Sequence, residues 1–206
     1  MDKLNEKILF EHIKFSNNQV EVADELFNFL LTYINKKRLL HSMSVAELSY
    51  RVAIANNLPN TKKYYEIGLL HDIAKDISSE KSYNLMDKYY KNDIDMPDFS
   101  YHQFLGELIL MRDFGIFDKE ILDAVKYHCS GNREMDTYQK IVYACDKIDP
   151  RRGYDSKFMI DAMLDDYEKG FILVLNENLK FLKSKVKEDS STLMNKYTKE
   201  CVEYYL

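Results

Sequence analysis

Apolar positions recur at three- and four-residue spacing along most of this chain, the period of helices that bury one side. Over 20–34 they fall at Val22, Leu26, Phe29, Leu30 and Tyr33. The next stretch, 37–56, carries two stripes: Leu39, Met43, Ala46, Tyr50 and Ala53, then His41, Val45, Leu48, Val52 and Ala55. A helix apolar on two sides belongs at the centre of a fold. Asn56-Asn57-Leu58-Pro59-Asn60 ends it. A helix over 61–75 follows, with Tyr64, Ile67, Gly68, His71 and Ala74 on one stripe.

Further helices are predicted over 80–91, 101–113 (ending near Gly115), 117–128 and 136–148, the last stopped by Pro150. Ser78-Ser79-Glu80 reads as an N-cap, Asp93 to Ser100 as a loop, and Cys129 to Glu134 as a turn about Gly131. One long amphipathic helix is expected over 156–186 through Met163, Tyr167, Phe171, Val174, Leu179, Leu182 and Val186. A last helix over 192–205 is capped by Asp189-Ser-Ser191. No strand is predicted. The fold class is all-α, a compact single-domain helical bundle, with 1–18 as a polar N-terminal arm and 19–206 as the domain.

Composition supports that. The chain has 206 residues, 46% apolar, with only six glycines and three prolines, which suits long helices on short connections. A formal charge of −5 argues against a partner that is a nucleic acid polymer, while leaving room for a local basic pocket. The longest apolar runs, such as Phe171 to Leu175, are too short to cross a membrane, and Met1 to Asn18 has no apolar signal core. Three cysteines, Cys129, Cys145 and Cys201, show no paired motif, which fits a reducing cytoplasmic setting.

The histidines change the picture most. Of His12, His41, His71, His102 and His128, all but His12 sit on or at the end of a predicted core helix. Asp72 adjoins His71, and Asp146 lies on a later helix. A single core histidine is ordinarily a hydrogen-bonded buried group, and a His-Asp dipeptide alone carries little. The set of His41, His71, Asp72, His102, His128 and Asp146 is different. Imidazole and carboxylate are the donors that suit iron, manganese, cobalt and zinc. Two such ions a few Å apart, bridged by Asp72, can support phosphoryl transfer to water. His71 and Asp72 stand about 100° apart on a helix and can converge on one cluster. Lys75, one turn on, is expected on the same face and can meet a phosphate oxygen.

These motifs stand in a familiar order. Arg38-Leu-Leu-His41, Gly68-Leu-Leu-His71-Asp72-Ile-Ala-Lys75-Asp76, His102 with Gly106, Val125-Lys-Tyr-His128-Cys-Ser-Gly131 and Asp146-Lys-Ile-Asp149-Pro150 with Arg152 resemble the YqeK-like branch of the HD superfamily. That branch comprises bacterial symmetrical diadenosine tetraphosphatases, and the resemblance covers about 20–206. It implies a helical, cytosolic hydrolase with a two-metal centre, usually iron, that splits diadenosine tetraphosphate (Ap4A) into two ADP. Carried over, the metal ligands are His41, His71, Asp72, His102, His128 and Asp146. Lys75 and Arg152 match phosphate-side basic positions, and Arg38 a basic residue before the first histidine. The resemblance also implies a link, sometimes a fusion, to a nicotinate-nucleotide adenylyltransferase. Cys129, Ser130, Cys145, Lys147 and Asp149 depart from the usual pattern; they leave the ligand set intact and bear on nucleoside preference.

Two other readings fit the residues: an HD-type hydrolase of a different nucleotide phosphate, and a non-catalytic nucleotide-binding protein stabilised by metal. Lys75 favours an enzyme, since a structural metal site needs no phosphate-facing cation. The aromatic-rich helices offer a homodimer face, and a larger core accounts for them equally well.

Overall fold

Short polar side chains set where the helices start. Asn35 accepts a hydrogen bond from the Arg38 backbone N–H and opens the central helix. Asp118 accepts from the Glu120 and Ile121 N–H groups, and Asp136 forms a reciprocal capping box with Gln139. The structure, a computed structural model, describes residues 10–16, 19–188 and 194–206. Its helices are α1 (Asp24–Leu30), α2 (Lys36–Ala55), α3 (Thr61–Leu70), α4 (Ser79–Tyr89), α5 (Tyr101–Ile109), α6 (Lys119–Tyr127), α7 (Thr137–Ile148), α8 (Lys157–Asp165), α9 (Tyr167–Glu188) and α10 (Lys196–Tyr205). Among the described residues, no helix is long and apolar enough to cross a membrane.

α2 lies at the centre, as its two stripes predict, packed against α3 and α7. Gly68 lets α3 lie directly on α2: a Cβ there would stand 2.6 Å from the Ala46 Cα. Tyr64, Tyr143, Phe104, Phe114 and Phe171 fill the interior. α5 runs into a π-helical turn, Leu110–Phe114, which Gly115 closes at φ +66°. Gly131 takes the expected positive φ, +71°, and its bare backbone admits Cys201 of α10.

Four expectations need correction. The chain does form strands: β1 (Ile13–Phe15) pairs antiparallel with β2 (Val20–Val22). Each strand is three residues long, too short to display a period. The domain body therefore begins before residue 19, because Ile13 is buried and the Phe15 ring meets Tyr50 and Tyr65 at 5.3 and 5.6 Å. Residues 1–9, 17 and 18 of the expected arm lie outside the described residues, as does the Asp189-Ser-Ser191 cap.

The third correction is at 61–75, where α3 stops at Leu70 and tight turns carry the chain on. Ile73 N–H bonds to the Leu70 carbonyl, Lys75 N–H to that of Asp72 and Ile77 N–H to that of Ala74. The His71 ring donates to the Gly68 carbonyl at 2.7 Å, the acceptor that a continuing helix would give to the Asp72 N–H. The fourth is at 156–186, which is two helices. Asp166 is extended and caps α9 through the N–H groups of Glu168 and Lys169, while Asn56 accepts from the Tyr167 N–H. Gly170 then lets α9 fold back against Met163 of α8. Met159 and Met163 of α8 and Phe171, Val174 and Leu175 of α9 are all buried, so the apolar stripe runs on across the turn.

Candidate metal centre

Five elements bring six donor residues to one point. His41 projects from the middle of α2 and Asp146 from α7; His71 and Asp72 follow the end of α3, His102 begins α5, and His128 ends α6. Asp72 lies between the imidazoles. Its Oδ1 is 3.3 Å from His102 Nε2 and 3.5 Å from His128 Nε2. Its Oδ2 is 3.8 Å from His71 Nε2 and 4.0 Å from His41 Nε2. Donor atoms of His41, His71 and Asp72 lie within 4.8 Å of one another, as do those of Asp72, His102 and His128. The two groups share Asp72 and face its opposite oxygens. Asp146 Oδ1 adds to the first group, 3.1 Å from His41 Nε2 and 3.7 Å from His71 Nε2.

The tautomers suit a cation. His71 Nδ1 donates to the Gly68 carbonyl, His102 Nδ1 to that of Phe99 at 2.8 Å and His128 Nδ1 to that of Val125 at 2.7 Å. Each ring therefore turns a lone pair inward at Nε2. The Nε2 of His71 is buried without a hydrogen-bond partner. Those of His102 and His128 face each other at 3.1 Å. Converging lone pairs and carboxylate oxygens in a buried site repel unless positive charge lies between them. The donor set fits divalent metal.

Electrostatics point the same way. Burial opposes charge on Asp72, yet His71, His102 and His128 hold its carboxyl well below the usual range. Burial likewise opposes charge on Asp146, and Lys147, His41, His71 and Arg152 overcome it. Burial pushes His128 down to about 3 and also lowers His102, so both are neutral donors. His41 is the exception: burial is outweighed by Asp146, Asp149 and Asp72, which raise it to about 9.

A cavity of about 290 Å³ opens over Asp72, His102, His128 and Asp146, with Arg38, Lys75, Lys147 and Arg152 on its wall. Lys75 reaches the centre although no helical face carries it there: its Nζ stands 3.1 and 3.2 Å from the His102 ring nitrogens. Arg38 pairs with Asp72 Oδ2 at 3.2 Å, and Arg152 pairs with the Asp146 carboxylate and donates to its carbonyl. All nine residues singled out in the sequence thus gather here. His12 is paired with Glu25.

Asp149 and Lys147, which the sequence marks only as departures from the family pattern, also belong to the centre. Asp149 is fully buried and accepts from His41 Nδ1 at 2.6 Å and from the Ser44 hydroxyl at 2.7 Å. Lys147 Nζ stands 3.0 Å from Asp146 Oδ2 and donates to the His128 carbonyl. In the sequence Asp149 is only a variant position of the closing motif, just before the Pro150 that stops the helix, and nothing local couples it to a histidine 108 residues away.

A helical domain with a shared-carboxylate, histidine-rich divalent-metal centre is the class that fold and site define. The HD domain profile matches residues 38–151. The chain belongs to the HD domain family. It is 30% identical over 179 residues to a Staphylococcus aureus protein named symmetrical bis(5'-nucleosyl)-tetraphosphatase, covering 82% of this chain and 87% of that one. It is 32% identical over 124 residues to a Mycoplasma genitalium protein named probable nicotinate-nucleotide adenylyltransferase/Ap4A hydrolase. There the match takes in 60% of this chain but only 35% of the relative's length. A crystal structure from Clostridium acetobutylicum, described as a predicted HD superfamily hydrolase involved in NAD metabolism, superposes with a TM-score of 0.77 at 26% identity. That superposition covers 88% of this chain and 95% of the other.

Proposed function

We propose that this chain is a metal-dependent symmetrical bis(5'-nucleosyl)-tetraphosphatase of the cytoplasm that cleaves Ap4A to two ADP. The observation that carries the reading is Asp72: opposite oxygens of one buried carboxylate face two separate histidine groups. His41, His71, Asp72, His102, His128 and Asp146 would hold the metal, Asp72 being the residue that both donor groups contain. The name of the Staphylococcus relative, which matches over most of both chains, supports the substrate.

Divalent ions held by these donors supply Lewis-acid polarisation of the phosphoryl oxygens and a lowered pKa for the attacking water. The protein's own part is positional and electrostatic. Nδ1 hydrogen bonds hold the four rings in place. Lys75 and Lys147 face the cavity over the donors and neutralise oxygens of the phosphoryl group under attack. Arg38 and Arg152, already shared with Asp72 and Asp146, bind the flanking phosphates. ADP leaves as a stable anion, so no strong general acid is required.

Iron as the resident metal follows from the family resemblance, and elemental analysis of protein purified without added metal tests it. Two Mycoplasma relatives carry both activities in one name, which supports a working link to a nicotinate-nucleotide adenylyltransferase. The deciding experiment is product analysis. Metal-loaded protein given Ap4A yields ADP alone. ATP plus AMP, or no turnover, overturns the reading. Turnover of a different nucleotide phosphate with Ap4A untouched favours another HD-type hydrolase.

A further inference from the structure

Beside the metal centre, α7, α8 and α9 enclose a second cavity of about 490 Å³ whose walls are mostly carbon. Ile148, Met159 and Val174, all buried, line it. Tyr154, Phe158 and Phe181 also line it, yet they are 47%, 52% and 57% exposed. Three large aromatic side chains left half in water around one cavity mark a binding surface. The volume lies within the roughly 300–1,000 Å³ typical of small-ligand sites.

Its position says what the ligand is. Lys147, Arg152, Asn178 and Phe181 line both this cavity and the one over the donors. A molecule whose phosphates meet Lys147 and Arg152 therefore has its next groups at the aromatic wall. A third cavity, of about 370 Å³, adjoins the centre at Arg38 and Arg152, but Lys37, Arg38, Arg151 and Arg152 line it and no Phe or Tyr does. Phosphates suit that cavity, and a flat aromatic ring suits the one beside Phe158 and Phe181.

We propose that the apolar cavity between α7, α8 and α9 is a nucleobase subsite, with Phe158 and Phe181 as the side chains that stack on the base. This inference rests on the nucleotide substrate proposed above. Tyr154 is held in place, its hydroxyl donating to the Lys147 carbonyl. Asn178 donates its amide to the Tyr143 hydroxyl at 2.9 Å, which leaves its carbonyl oxygen as the acceptor for a base amino group. Phe158 and Phe181 have no polar tie and owe the core little, so they can be changed without unfolding the protein.

The test separates the base from the phosphates. Binding of ADP and of inorganic pyrophosphate to the metal-loaded protein is measured by calorimetry for the wild type, Phe158→Ala, Phe181→Ala and the double variant. Base–aromatic stacking of ordinary strength predicts that each single change weakens ADP about tenfold. Pyrophosphate affinity stays within about twofold, and Phe158→Tyr restores ADP binding. On Ap4A the variants raise KM and leave kcat within about twofold. Equal ADP affinity in wild type and double variant overturns the subsite. So does equal loss of ADP and pyrophosphate, which marks a general distortion. A wild-type dimer that the double variant turns into monomer in sedimentation also overturns it, because the cavity then holds a second copy. Phenylalanine-dependent ADP binding without Ap4A turnover would sink the tetraphosphatase reading alone. Ap4A turnover indifferent to both phenylalanines would sink the subsite alone.

Discussion

His41 Nδ1 and Asp149 Oδ2 stand 2.6 Å apart, and the other Asp149 oxygen takes the Ser44 hydroxyl. The carboxylate is fully buried; burial opposes its charge, but His41 and Ser44 overcome that and lower its pKa. It fixes the His41 ring so that Nε2 faces Asp146. Partners of this kind typically govern metal affinity by about 10–100-fold. Asp149→Ala is expected to weaken metal binding by that order, read by competition with a chromogenic chelator. Unchanged affinity would show that α2 alone holds the ring.

Asp72→Ala removes the group common to both histidine sets. At least one metal ion per chain is expected to be lost in elemental analysis, with turnover down on the order of 10³-fold. Full metal content with wild-type rate would contradict the site assignment.

Lys75 touches His102 and offers positive charge at the cavity. Lys75→Met should lower kcat about 10²-fold, the scale of one lost transition-state partner, while metal content holds. A fall in metal content instead would make Lys75 a support for the ligands.

Gly68 is a packing requirement of the site. An added Cβ would press on the Ala46 backbone at 2.6 Å, and neither helix can yield without moving His41 or His71. Gly68→Ala is expected to cost about 1–3 kcal/mol, read as a lower midpoint in urea, with weakened metal binding alongside.

Asp118 caps α6 and pairs with Lys63 Nζ at 2.6 Å. Burial opposes its ionisation, but Lys63 and the Glu120 and Ile121 N–H groups prevail, so its folded pKa lies below the ordinary value. The stabilisation is therefore fully present above about pH 4 and is lost as pH falls through the depressed folded value. Asp118→Ala should cost about 1 kcal/mol at neutral pH, the usual worth of a cap. Its difference from wild type should shrink in urea titrations taken below pH 4.

The helices were legible where side chains act on their own neighbourhood. Asp136 with Gln139 marks the start of α7, Pro150 follows its end, and Gly115 lies where the α5 segment was expected to stop. The failures came where a distant group intervened. α3 ends early because the His71 ring takes a carbonyl from its own helix. The stripe from Met163 to Phe171 conceals a turn because Asn56, over a hundred residues earlier, stabilises the break at Tyr167. The hairpin at Ile13 and Val22 rests on contacts with Tyr50 and Tyr65 that no three-residue strand can advertise.

By itself the sequence determined a predominantly helical fold and the donor inventory. Imidazole and carboxylate at positions where a helix period calls for apolar residues stand out without coordinates. Only the tertiary structure decided which oxygen of Asp72 faces which histidine pair, that Asp149 orients His41, and that an aromatic cavity adjoins the centre. Those relations depend on how α2, the turn after α3, α5, α6 and α7 cross. A few Å there is the sum of many side-chain contacts along each helix, and no local stretch of sequence encodes it.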